Sequence, residues 1–360
     1  MRRARCSRRS RRSPPLLSTL TVVALGMGVF GVIPAAAQSS RPPAQSAPPA
    51  VPKRAEMIPE SHDAHMEHVE HMDHAAMRTA TPAERAELAR QIDAVRRATE
   101  RYRDIENAKK DGYAPFGKEA PLMGEHWYHK GVREPPEGTP LDLEHPGTLQ
   151  YAVIDGKRVL VGVAFSTRLR RTDSLPEGFA GPDDHWHQHD LIKAVSAATE
   201  DRSVLRWISN RWMDGARKKG DDRMMLTMVH AWVWLDNPDG VFAMHHRVIP
   251  YLKSGLPASF ADGASEEAAR GLDLATDNGC ARALDGELWM AHASREQSRT
   301  LREACAQSAH RLQGLLEGHP PAAILNEEAE SVWRSLDEAR HRTYTPHQLE
   351  RIGSVTEMMM

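Results

Sequence analysis

The sequence predicts an α+β protein: a β-rich, antiparallel core domain with an N-terminal helix before it and a C-terminal helical domain after it. Three observations carry this expectation. Two runs rich in Val, Leu, Tyr and Phe, Thr148 to Ile154 and Arg158 to Ser166, are joined by Asp155-Gly156, a dipeptide that favours a two-residue hairpin turn. Helix-start signals with apolar residues at helical spacing mark residues 81–110 and recur through the last hundred residues. Between them His185-Trp186-His187-Gln188-His189-Asp190 places three histidines at alternate positions, and the period of two of a strand would put all three rings on one face.

A chain of 360 residues has room for two folded domains and appendages. Residues 1–37 have the layout of a secretory signal peptide. Seven arginines and no acid lie between Met1 and Arg12, a largely apolar run extends from Leu16 to Ile33, and Pro34-Ala35-Ala36-Ala37 supplies small residues for cleavage before Gln38. The expectation is therefore a periplasmic or secreted protein with no stable membrane anchor after cleavage. Losing those arginines moves the net charge from −2 to about −9, which disfavours nucleic acid as a partner. Cys6 leaves with the signal; Cys280 and Cys305 remain, an even pair expected to form a disulfide in an oxidising compartment.

Residues 38–79 read as a disordered, Pro-rich and His/Met-rich segment. His62, His65, His68, His71 and His74 recur every third residue, with Met66 and Met72 among them. Imidazoles suit oxidised copper, nickel and zinc, and thioethers select reduced copper, so the mixture favours copper. Thr81-Pro82-Ala83-Glu84 then opens a helix as a capping box with Pro in the first turn, and the spacing of Leu88, Ile92 and Val95 carries it to about Lys110. Residues 80–258 form the mixed α+β domain, expected to bind metal. Its strands are the hairpin, His185 to Ile192, Met224 to Leu235 and Phe242 to Tyr251; Ser203 to Arg217 is a helix that carries Trp207 and Trp212 into the core.

Residues 259–360 form the helical domain. Helices start at Ser265-Glu266-Glu267, at the capping box Ser294/Gln297, at Ile324 and at Thr345-Pro346. An unbroken helix would hold Cys280 and Cys305 roughly 37 Å apart, so their bridge requires a helical hairpin folded near His292.

Histidines outside the N-terminal tract cluster near tryptophans, as expected of a pocket with apolar walls and imidazole ligands. The candidate core metal ligands are His126, His185, His187, His189 and His230. Glu125, His129 and Asp190 are candidates for a supporting shell, Asp190 by orienting an imidazole. Three histidines with an open position suit zinc, and Glu125 or Asp190 added to them suits iron or manganese. Copper or zinc is the expected cofactor and the metal ion the expected partner; no protein partner is indicated.

The tract His65-Met66-Glu67-His68 with His71-Met72-Asp73-His74 is similar to the His/Met-rich segments of bacterial periplasmic copper-resistance proteins, which implies metal capture. The motifs Gly112-Tyr113-Ala114-Pro115, Met123-Gly124-Glu125-His126-Trp127, Trp186-His187 and Asn237-Pro238-Asp239-Gly240-Val241-Phe242-Ala243 together resemble a family of uncharacterised secreted bacterial proteins, a resemblance that implies no assigned activity. The residues 185–190 also resemble in part the His-x-His-x-Asp-His loop of metallo-β-lactamase-like hydrolases, but Asp190 follows the third histidine instead of preceding it, and that activity is not implied. The functional expectation is an exported protein that handles copper or zinc at a histidine-lined core site. Two alternatives stand beside it: a metal-dependent hydrolase or oxidoreductase using the same histidines, and an interaction module in which they are incidental.

Overall fold

Helix α1 (Pro82–Thr99) starts as its sequence dictates. The Thr81 hydroxyl accepts the Glu84 N–H and the Glu84 carboxylate accepts the Thr81 N–H, which satisfies two donors at the helix start. The helix does not run unbroken to Lys110. A 3₁₀ turn at Glu100–Arg103 intervenes, and Asp104, in extended conformation, accepts the Glu106 N–H and starts a second helix, α2 (Ile105–Lys110). Such a local side-chain bond offers the backbone an alternative to helix continuation. The computed structural model describes residues 78–132, 139–170, 172–218 and 223–359, and the span Arg78–Met360 clusters as one unit. The expected signal peptide, the Pro-rich segment and the tract containing His62, His65, Met66, His68, His71, Met72 and His74 lie outside the described residues.

Six strands follow: β1 (Tyr113–Ala120), β2 (Gly124–His129), β3 (Thr148–Ile154), β4 (Lys157–Leu169), β5 (His187–Asp190) and β6 (Met225–Ala231). They form one sheet in the order β1-β2-β3-β4-β6-β5, every pair antiparallel. The β3–β4 hairpin turns at Asp155 and Gly156, both with positive φ (49° and 71°), the geometry of a type I′ turn. The outer pair β1–β2 was not foreseen. β1 carries Pro115 and Gly117, which weaken a strand reading and suit an edge, and its pairing shifts register between Phe116 and Ala120.

The third expected strand is shorter than its alternation implied. Asp190 ends it by accepting the N–H groups of Ile192 and Lys193, so Leu191 begins a helix, α3 (Leu191–Thr199), followed by α4 (Ser203–Lys218). Within α4, Trp212 is partly buried, whereas Trp207, expected in the core, is 64% exposed. Residues 242–251 are not a strand. They run irregularly into a short helix, α5 (Ile249–Lys253), whose first turn holds Pro250, a residue with no N–H to give a ladder.

The sheet has two buried faces. On one, Tyr113, Trp127, Leu149, Tyr151, Val163, Phe165 and Val229 pack with Ile92 and Val95 of α1. The other carries His126, Gln150, Gly162, His230 and Trp232, and residues 243–249 lie against it, with Ile249 in contact with Trp232. The C-terminal helices are α6 (Glu266–Leu274), α7 (Gly279–Met290), α8 (Arg295–Glu317), α9 (Ala322–Thr343) and α10 (Pro346–Met359). Capping boxes start α8 at Ser294 and Gln297 and α10 at Thr345 and Gln348, and the Cys280–Cys305 disulfide ties α7 to α8. Fold class, hairpin bridge and caps are as the sequence implied.

Buried ion pairs join sheet and helices: Lys253 and Arg282 both reach Glu119 of β1 and Asp273 of α6. Helices α6 and α9 cross so closely that a Cβ on Gly271 would lie 1.9 Å from the Ala329 carbonyl oxygen. Backbone on both sides leaves nothing soft to give way. Gly271→Ala is expected to cost about 2–3 kcal/mol, read as a lower urea midpoint at unchanged slope. An unchanged midpoint would show that the two helices separate freely.

A buried imidazole row and the cleft beside it

Sheet register decides which histidines meet. His126 on β2 pairs with Gln150 on β3, Gln150 with Gly162 on β4, and the neighbouring Ala164 with His230 on β6. Gly162 has no side chain to fill the space above its strand, so the His126 and His230 rings approach to 5.8 Å between centroids. A Cβ at Gly162 would stand 2.8 Å from the Ala231 carbonyl oxygen and 3.1 Å from both Gln150 Oε1 and the Trp232 ring. Across β6 the row continues through His187, 5.1 Å from His230, to His189, 5.1 Å from His187, these pairs meeting nearly edge to face. Trp232 lies 6.0 Å from His230 and 4.9 Å from His246, and its indole N–H donates to the Ala243 carbonyl at 2.6 Å.

Burial keeps these rings neutral. It pushes the His126, His189 and His246 imidazoles down to about 4 and His187 to about 3, with His189 also lowering His187, and it holds His230 well below the ordinary value. The pattern of partners then fixes what each ring offers. Backbone carbonyls of Gly124 and His185 favour an N–H on His126 and His187, and His230 donates Nδ1–H to the Met244 carbonyl at 3.2 Å. Gln150 Nε2 faces His126 Nε2 at 3.5 Å. Within the row, what remains without a hydrogen-bond partner is His187 Nε2, His230 Nε2, His189 Nδ1 and Gln150 Oε1. For His187, His230 and Gln150 those atoms are lone-pair acceptors.

Beside the row a cleft of about 880 Å³ opens between the β1–β2 pair, the β3–β4 turn and the start of α7, and His126 is part of its wall. Its charged lining is held in pairs. Lys118 meets Asp285 at 2.7 Å, and Arg158 grips Glu125 through two nitrogens at 2.6 and 2.9 Å. Burial raises the Glu125 carboxyl, but Arg158 and the Trp127 indole outweigh it and hold the group below its usual range. Near His187 and His230, His245 lies 3.2 Å from Glu266; burial raises that carboxyl, and His245 and Arg270 override it to about 2.

The expected metal centre is not present. Among the described residues no group of three or more His, Cys, Asp or Glu side chains is arranged to hold a metal ion. The copper, zinc, iron and manganese expectations for the core, the metal ion as partner and the metal-dependent enzyme that rested on it are corrected accordingly. Ligation needs several lone pairs to converge about 2 Å from one point. Here the candidates are dispersed. The His126 lone pair faces the Gln150 amide, and His185 falls outside β5. His129 uses Nε2 at the Asp111 carbonyl and Nδ1 at the Gly131 N–H. His187, His189 and His230 do come together, as a stack of rings. The residues proposed to support them have other tasks: Glu125 holds Arg158 and Trp127, and Asp190 caps α3.

Gln150, Gly162 and Glu266 were not singled out from the sequence. Gln150 left a signal there, as the one amide in an otherwise apolar strand. His245 and His246 fall within the segment Phe242 to Tyr251 that the sequence predicts as a strand. Off any strand, His246 packs on Trp232 while His245 pairs with Glu266. Comparison of the chain with protein-family models, with curated proteins and with solved structures finds no match.

Proposed function

We propose that the protein is a binding protein for a small solute rich in N–H or O–H donors, an amine or a polyol, that enters by the cleft at His126 and brings its donor groups to Gln150, His187 and His230, which lie behind that ring. The observation that carries this reading is the set of unpartnered acceptors on one sheet face. A buried acceptor without a partner costs about 1–3 kcal/mol, and a donor-rich guest removes that cost. His126 supports the reading because it belongs both to the cleft wall and to the imidazole row, and so joins the opening to the buried acceptors. The ion-paired lining favours a polar solute over an apolar one.

Titration calorimetry at pH 7.5, in buffer containing a chelator, tests it with a panel of primary amines and polyols. At least one class should bind with a Kd of micromolar to millimolar order, and Gln150→Leu should weaken that binding at least tenfold. This nearly volume-conserving change removes one unsatisfied acceptor but also the amide that faces His126 Nε2, so the two effects oppose and the free protein should keep its melting temperature within a few degrees. Absence of binding across both classes, or full affinity in the Gln150 variant, would refute the assignment.

A further inference from the structure

The surface of α4 carries a feature that solute binding does not use. Counted around the helix, Leu205, Ile208, Ser209, Trp212 and Met213 form the inward side, with Ser209 and Met213 buried. Val204 and Trp207, one turn apart on the opposite side, are 65% and 64% exposed, more than any other large apolar side chain described. Arg206 and Arg211 are exposed beside them, and the Arg211 guanidinium lies 5.9 Å from the centre of the Trp207 ring. The helix holds four basic residues, Arg206, Arg211, Arg217 and Lys218, and one acid, Asp214. Just before it, Arg202 stacks at 4.1 Å on Trp289, which is itself 42% exposed.

We propose that α4 docks the protein on an anionic lipid surface, with Val204 and Trp207 entering the headgroup layer and the arginines meeting phosphates. Tryptophan favours that depth because its ring is apolar and its N–H polar, and a basic amphipathic helix lies in the plane of such an interface. The guanidinium fork matches a phosphate through two parallel hydrogen bonds. Two apolar side chains flanked by Arg206 and Arg211 fall short of the roughly 800 Å² per partner that a stable protein interface covers, which favours the lipid surface over an ordinary apolar protein contact. Docking is peripheral: among the described residues no helix is long and apolar enough to cross a membrane.

The test uses the full chain with vesicles of phosphatidylcholine alone or with 30% phosphatidylglycerol, read by sedimentation and by tryptophan quenching with brominated lipid. No tryptophan precedes Trp127, so quenching reports on the folded part and is blind to the apolar residues 16–33. Expected are binding at least tenfold tighter to the anionic vesicles, weakening in high salt, and bromine quenching that Trp207→Ser removes. The double variant Arg206→Ser/Arg211→Ser should lose about tenfold in affinity while keeping the wild-type circular dichroism. Equal binding to both vesicles, unquenched tryptophan, or quenching that survives Trp207→Ser would overturn the proposal. So would a dimer in light scattering that Trp207→Ser dissociates without any vesicle binding, because the face would then belong to a second copy.

Discussion

Acidification from pH 7.5 to 4.5 is expected to remove most of the stability of the folded unit. His126, His187, His189 and His246 are held near 3 to 4 by burial, against an ordinary value of 6.5 in the unfolded chain. Between those limits the unfolded state binds more protons than the folded one, so their contribution is complete above about pH 6.5 and falls as pH drops toward 4. Each such ring forfeits roughly 2.5 kcal/mol by pH 4.5, and four together, about 10 kcal/mol, fall within the 5–15 kcal/mol that holds a typical domain folded. The loss cannot be charged to the Glu266 carboxylate that pairs with His245, because Glu266, depressed to about 2, keeps its contribution until the pH falls through the range from 4.5 to 2. Urea midpoints measured at pH 7.5, 6.5, 5.5 and 4.5 should decline with the steepest drop below 6. A flat profile down to pH 5 would mean that the rings are hydrated and titrate normally.

Reduction of the Cys280–Cys305 bond should have the next largest effect. The bond closes a loop across a sequence separation of 25 residues, and restricting the unfolded chain by that much is worth about 3.5 kcal/mol in the chain-entropy account. For a unit of this size the melting temperature should fall by about 6 °C. Cys305 is fully buried among Leu284, Leu301 and Leu336, so the reduced thiol stays in apolar surroundings and the helices keep their packing. Calorimetric melting of Cys280→Ala/Cys305→Ala measures the effect without a reductant. A shift below 2 °C would place residual structure around this hairpin in the unfolded chain.

What the sequence made legible was local. Thr81 with Glu84, Ser294 with Gln297 and Thr345 with Gln348 are satisfied within four residues, so their helix starts can be read without knowing anything distant. Asp155-Gly156 is local in the same sense. The disulfide was legible as an even pair of cysteines, and the length of an unbroken helix then required the hairpin between them. The outer strands were not, because β1 is held by its partner β2 and by ion pairs to α5 and α7, with Pro115 and Gly117 arguing against it in isolation.

The site divides the same way. That His187 and His189 share a face follows from alternation, but that His126 reaches His230 depends on Gly162 two strands away from His126. Counting ligand types also says nothing of whether side chains are arranged to hold an ion, and among the described residues no group of three is. Asp190 illustrates the competition directly: the residue that completed the apparent strand motif ends the strand by capping a helix. In α4 the spacing identified a helix, yet only the packed side shows that Trp212 faces inward and Trp207 outward.

The sheet's two outermost strands bear on how the protein behaves at high concentration. An open strand edge invites another chain to extend the sheet, the route by which β proteins form fibrils and insoluble aggregates. β5 spans only four residues before the chain turns into α3, too short a template for lasting pairing. β1 is interrupted by Pro115 and by its register shift, so it presents no continuous row of N–H and C=O groups to an incoming strand. Growth by strand addition is therefore discouraged at both ends, and the folded molecule tolerates crowding that a sheet with long, straight margins would not.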